Sequence, residues 1–204
     1  MTWHLLTTNK WPFHIQVRQL RHAIKNIDMI HVRDKEASLQ RLKQQIDQLR
    51  KIGVNRERII LNEHADAAIA WDLGGVHLPG HSSWKGKDIK EKAPGLQVGA
   101  SVHSQDEAVT REEEGVDYLY YGHVFSSESK PDTPPRGLEA LQAVVQSVSV
   151  PVMAIGGITR DRIAEVSQTG AAGIALISGF WEAERPEEEA SYFNHFGQIN
   201  YETT

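Results

Sequence analysis

The chain has 204 residues, a formal net charge of −5 and no cysteine. That length suits one large domain or two small ones, the charge speaks against a nucleic-acid surface, which favours a basic patch, and the missing thiols exclude disulfides, thiolate metal sites and a cysteine nucleophile. A hydrophobic fraction of 40% supplies an ordinary globular core. No apolar run approaches the ~18 residues that span a bilayer. The N-terminal MTWHLLTTNK lacks a charged-then-apolar leader pattern. A cytoplasmic protein without membrane contact is therefore expected, and self-association is left open.

A strand is predicted over 3–7 (WHLLT), followed by an amphipathic helix over 13–27, where Ile15, Val17, Leu20, Ala23, Ile24 and Ile27 recur at three- and four-residue steps. MIHVR at 29–33 reads as strand, with His31 and Arg33 on one face. Leu39, Leu42, Ile46 and Leu49 mark a second helix capped by Gly53. Further strands fall at 59–61, 75–78 and 97–101, separated by a short helix over 65–71 and a weaker one over 85–93. Ser104 and Glu107 form a capping box for a helix that ends at Gly115. The aromatic run 118–121 (YLYY) is strand six, closed by Gly122 and followed by His123 and the polar loop 126–137. A helix over 138–147, a strand over 151–155, a turn at Gly156-Gly157 and a helix N-capped by Thr159 come next. Strand eight spans 173–177, Ser178-Gly179 makes a turn, and a last helix covers roughly 187–199, acidic at its start.

Strand and helix thus alternate eight times with no break that would mark a linker. The pattern predicts a single-domain α/β protein, a (β/α)8 TIM barrel over 1–204, with an open doubly wound sheet as the rival. Glycines at the same point of several units (Gly53, Gly115, Gly170) favour the closed form. In a barrel, chemistry sits at the C-terminal strand ends. Those ends carry Arg33 with Lys35, Asn62 with Glu63, His77, Ser101 with His103, Gly122 with His123, Gly156-Gly157 and Ser178-Gly179. The small-residue turns after strands seven and eight read as a phosphate site, because glycine lets backbone amides approach an anion. Arg33, Lys35 and Lys130 are the candidates for anion recognition. His123, able to take and return a proton near neutral pH, is the candidate acid/base under a lid formed by 126–137. His31, His77 and His103 lie near other strand ends but lack carboxylate partners at metal-binding spacing, so no metal and no cofactor is expected. His4, His14, His22 and His195 read as surface or helix-face positions.

The segments HVRDK (31–35), NEHADAAIAWDLGGVHL (62–78), GASVHS (99–104), DYLYYGHVF (117–125), PVMAIGGIT (151–159) and GIALISG (173–179) resemble, in order and over nearly the whole chain, the thiamine phosphate synthase superfamily. The synthase of that superfamily joins a thiazole phosphate to a pyrimidine pyrophosphate with magnesium. Its pattern has Asn-Asp-Arg where this chain has Asn62-Glu63-His64, Gly-Gln-x-Asp where it has Pro79-Gly80-His81-Ser82, and Gly-Pro-x-Phe where it has Gly122-His123-Val124-Phe125. The histidine in the last motif resembles the TenI branch, the thiazole tautomerases. That resemblance implies an isomerase of a carboxylated thiazole phosphate, with His123 moving the proton. Gly157, Ser178 and Gly179 would hold the phosphate, Arg33 and Lys130 the carboxylate, His103 would position or polarise, and Lys35 and Ser101 would also bind the substrate. The alternatives are the magnesium-dependent synthase itself and a non-catalytic regulator that binds thiamine-related phosphates.

Overall fold

A computed structural model describes residues 1–127 and 132–199. Eight parallel strands close into a barrel in which each strand pairs with the next and the eighth returns to the first. They are β1 (Thr2–Leu6), β2 (Met29–Val32), β3 (Ile59–Asn62), β4 (Gly75–Leu78), β5 (Gln97–Val102), β6 (Tyr118–Gly122), β7 (Val152–Ile155) and β8 (Gly173–Leu176). The closed form of the fold expectation holds. A parallel strand order needs a crossover after every strand, and the amphipathic segments provide it.

The helices that pack on the sheet are α1 (Phe13–Ala23), α2 (Leu39–Lys51), α3 (Ala65–Ala70), α4 (Gly86–Lys92), α5 (Gln105–Glu113), α6 (Gly137–Ser147), α7 (Ile163–Gln168), α8 (Ser178–Trp181) and α9 (Pro186–Ile199). Ser38 caps α2 by accepting from the Arg41 amide, and Ser104 caps α5 by accepting from Glu107. Gly53, Gly115 and Gly170 end their units with φ of +97°, +85° and +82°, a backbone state that only glycine adopts without strain.

Three local expectations are corrected. The first helix stops at Ala23 and tightens into a 3-10 turn before Ile27. Thr159 makes no side-chain cap, and a 3-10 turn over Arg160–Arg162 precedes α7 instead. Ser178-Gly179 is no free turn but the first turn of α8, which buries Phe180 and Trp181 and anchors itself through Trp181 Nε1–H to the Leu6 carbonyl at 2.7 Å.

The core has two compartments. Between sheet and helices lies a continuous apolar layer that includes Leu5, Leu20, Ile30, Ile46, Leu49 and Val98. Inside the barrel, alternation along the strands turns the other face inward, where Leu6, Tyr118, Tyr120, Met153 and Ala175 pack together. His4, His31 and His77 join them, so His4 is a core residue and not a surface one. The Tyr118 ring fits because glycine sits opposite it: a Cβ on Gly99 would stand 2.1 Å from that ring. Among the described residues no helix is long and apolar enough to cross a membrane.

Candidate active site

The strand C-termini open onto a cavity of about 440 Å³, the size of a small-molecule site. Arg33 and Lys35 reach it from the end of β2. Thr7 fixes Arg33 from below: its hydroxyl accepts from the Arg33 amide at 2.8 Å and donates to the Arg33 carbonyl at 3.3 Å. The neighbouring acid is turned away, because Asp34 takes Gln45 Nε2 at 3.0 Å and Arg41 at 3.3 Å. Among the described residues neither Arg33 nor Lys35 has a carboxylate partner, which leaves two cations for an anion in the cavity.

β3 delivers Asn62 and Glu63 to the same wall. Glu63 has φ +75°, a left-handed backbone unusual for a side-chain-bearing residue. Its amide donates to the His77 carbonyl at 3.0 Å, so the strained turn is tied to β4. Glu63 is the one carboxylate lining the cavity among the described residues. The loop after β4 brings Gly80 and His81, and Arg111 holds that loop from behind through the carbonyls of Gly80, Ser82 and Trp84 at 2.9–3.1 Å. Ser82 itself lies off the cavity, its hydroxyl accepting from the Trp84 amide.

From β5 come Ser101 and His103. Ser101 Oγ is 2.9 Å from His77 Nε2. His103 sits at the rim, its amide and Nδ1 both on Glu107 Oε2. His123 lines the cavity from the end of β6, with one of its two ring nitrogens held by the following loop. Nε2–H donates to the Thr133 carbonyl at 3.0 Å, and Nδ1 is buried with no partner. Across the mouth, Gly156 and Gly157 have φ of +102° and +66°. A Cβ at Gly156 would meet His123 Cβ at 2.3 Å, and one at Gly157 the Ser126 carbonyl at 2.5 Å, so both must be glycine. Arg162 donates to the Gly157 carbonyl at 2.7 Å and holds that peptide's orientation. Ser178 and Gly179 complete the wall, their amides in a first helical turn and so without an intrahelical acceptor.

Under the cavity, burial keeps the imidazoles neutral. His4 and His77 are both lowered to about 3 by desolvation, and His31 is driven well below its usual range by desolvation and by its histidine neighbours. Burial also raises the Tyr118 and Tyr120 phenols.

The structure thus gathers Arg33, Lys35, Ser101, His103, His123, Gly157, Ser178 and Gly179 at one cavity; Lys130 lies outside the described residues. Asn62, Glu63 and Gly156, which also stand at the expected strand ends, line the same cavity, and so does His81, which was not expected there. The strand-end rule is the signal for all but His81, since each stands at or just after the last residue of a strand.

A family profile described as thiamine monophosphate synthase matches residues 4–180. The thiamine-phosphate synthase of Caldivirga maquilingensis is 39% identical over 168 residues, 82% of each chain. That of Pyrococcus furiosus is 45% identical over 124 residues, 61% of this chain and 59% of that one. A solved structure called thiamine phosphate pyrophosphorylase from Pyrococcus furiosus superposes with a TM-score of 0.82 at 33% identity, covering 97% of this chain and 96% of that one. These relatives carry a transferase's name, which overturns the expected thiazole tautomerase, its isomerase class and its place in the TenI branch. The departures from the family pattern at Glu63, Ser82 and His123 therefore do not mark an isomerase. Glu63 still offers a carboxylate to the cavity.

Proposed function

The chain belongs to the thiamine monophosphate synthase family, and on that premise we propose that it is a transferase joining a thiazole phosphate to a pyrimidine pyrophosphate. The thiazole nitrogen gives its lone pair to the methylene carbon of the pyrimidine, a C–N bond forms, and the C–O bond to pyrophosphate breaks with its electron pair leaving on oxygen. The ring nitrogen becomes quaternary and no proton has to move. Such a reaction asks for two anion-binding walls and charge neutralisation at the leaving group, and an acid/base histidine is not required.

The observation that carries this reading is that Arg33 and Lys35 line the same cavity as Gly157, Ser178 and Gly179. Arg33 and Lys35 bind the pyrophosphate, Arg33 in the forked geometry that suits phosphate oxygens. The amides at Gly157, Ser178 and Gly179 take the phosphate of the thiazole, as small-residue turns at this end of a barrel do. Ser101 and His103 contact the ring between them, and His123 serves as wall against Gly156. Magnesium in phosphoryl sites is held by one or two carboxylates together with substrate oxygens, and Glu63, the one carboxylate on the cavity among the described residues, would be its protein donor. When bound, the ion supplies charge neutralisation on the departing pyrophosphate.

The test is to incubate the purified chain with both substrates and magnesium, following product and pyrophosphate together. Equimolar formation of thiamine phosphate and pyrophosphate is expected, and Arg33→Gln should lower kcat/KM by roughly 10²-fold. Absence of pyrophosphate release would overturn the assignment.

A further inference from the structure

Below the cavity floor runs a chain of polar groups that bond transfer leaves unused. Ser101 Oγ is 2.9 Å from His77 Nε2, and His77 Nδ1 is 3.4 Å from the Tyr118 hydroxyl. His77 and Tyr118 are buried inside the barrel, whereas Ser101 is half-buried at the cavity.

The protons in this chain can be counted. Among the described residues His77 Nδ1 is the one hydrogen-bond partner of the Tyr118 hydroxyl. Tyr118 is buried, and the Gly99 backbone packs against its hydroxyl end, where an added Cβ would lie 2.5 Å from the oxygen. A buried O–H left without an acceptor is costly, while an unused lone pair on the same oxygen costs less. The phenol therefore donates to Nδ1. A neutral imidazole that accepts at Nδ1 carries its proton on Nε2. Nε2–H then donates to Ser101 Oγ, so the serine's own hydrogen is not needed by His77 and turns to the cavity. The reverse order would strand the phenol proton.

We infer that Tyr118 and His77 are positioning residues that present Ser101 to the bound substrate as a hydrogen-bond donor, matched to an acceptor atom such as a pyrimidine ring nitrogen and not to the thiazole nitrogen that supplies the bonding pair. Only the identity of the substrate rests on the transferase reading; the proton order is a property of the empty protein.

Two measurements separate these. In 15N–1H correlation spectra of the ligand-free chain, with His77 assigned through its side-chain carbons, the proton is expected on Nε2 throughout the neutral range. A proton on Nδ1 overturns the inference whatever the chain catalyses. Kinetically, Tyr118→Phe conserves volume and is expected to lower kcat/KM for thiamine phosphate formation by about 5- to 10-fold, the scale of one hydrogen bond. In a Ser101→Ala background the same change should cost nothing further, because Tyr118 acts through Ser101. An undiminished loss in that background would show a separate structural role and overturn the inference.

Discussion

Outside the sheet, Leu20, Ile46 and Leu49 belong to a continuous apolar layer under the helices. Inside it, His4, His31, His77, Tyr118 and Tyr120 occupy the space that barrels usually give to branched aliphatic side chains. Both compartments are well packed, but they answer to different variables. The outer layer is held by area removed from water and is indifferent to pH. The inner one is held by rings that remain uncharged, joined by Tyr120 to His31 at 2.8 Å and to His4 at 2.7 Å. Acid should therefore open the protein from the inside.

The largest expected effect follows from that difference. His4 and His77 are lowered to about 3 in the folded protein and His31 is also well down, against ~6.5 in the unfolded chain. Below pH 6.5 the unfolded chain binds protons that the barrel refuses. Their contribution is complete above that pH and is lost as the pH falls toward 3. Stability should drop with a slope approaching about 4 kcal/mol per pH unit once all three would titrate, roughly 1.4 for each. Urea unfolding at pH 7.5, 6.5, 5.5 and 5.0 checks it, and His4→Leu should flatten the slope by about a third. Constant stability down to pH 5 would mean that these rings ionise in place.

The outer layer gives the next effect. Ile46 is fully buried in α2, and Ile46→Ala should cost about 2–5 kcal/mol through lost burial and a residual cavity. That loss should be the same at pH 7.5 and pH 5.5. A cost that grew in acid would show that the two compartments are coupled.

How much of this was readable beforehand also divides along the sheet. Outer-facing residues announce themselves by period, so β4 has the predicted bounds and the helices of most units were found. The Gly156-Gly157 turn was readable because both positions must be glycine for a steric reason. The interior was not. His4 looks like a surface residue in WHLLT because nothing in a single strand says that its inward face meets Tyr120 from the far side of the barrel, 116 residues on. The site was legible as a set of strand ends, whereas the chemistry was not. One motif position, His123, suggested a proton carrier, and only its contacts reveal an imidazole tied to Thr133. Glu63 was noticed as a replaced aspartate when it is a retained carboxylate in the cavity.

The smallest effect is the most discriminating, because it lies where the two compartments meet. Glu63 ends β3 with φ +75°, a conformation costly for any residue with a Cβ. If the site keeps that strain in order to aim a carboxylate, stability and turnover should respond to different features of the residue. Glu63→Ala and Glu63→Gly both remove the carboxylate, so both should lose magnesium-dependent turnover to a similar extent. Only glycine relieves the backbone, so Glu63→Gly should be more stable than Glu63→Ala by about 1 kcal/mol, or roughly 2–4 °C in melting midpoint for a domain of this size. Equal midpoints would mean that the His77 carbonyl, which holds the Glu63 amide at 3.0 Å, already offsets the strain. The left-handed turn would then be a feature of β3–β4 packing, and the carboxylate's direction a consequence of it.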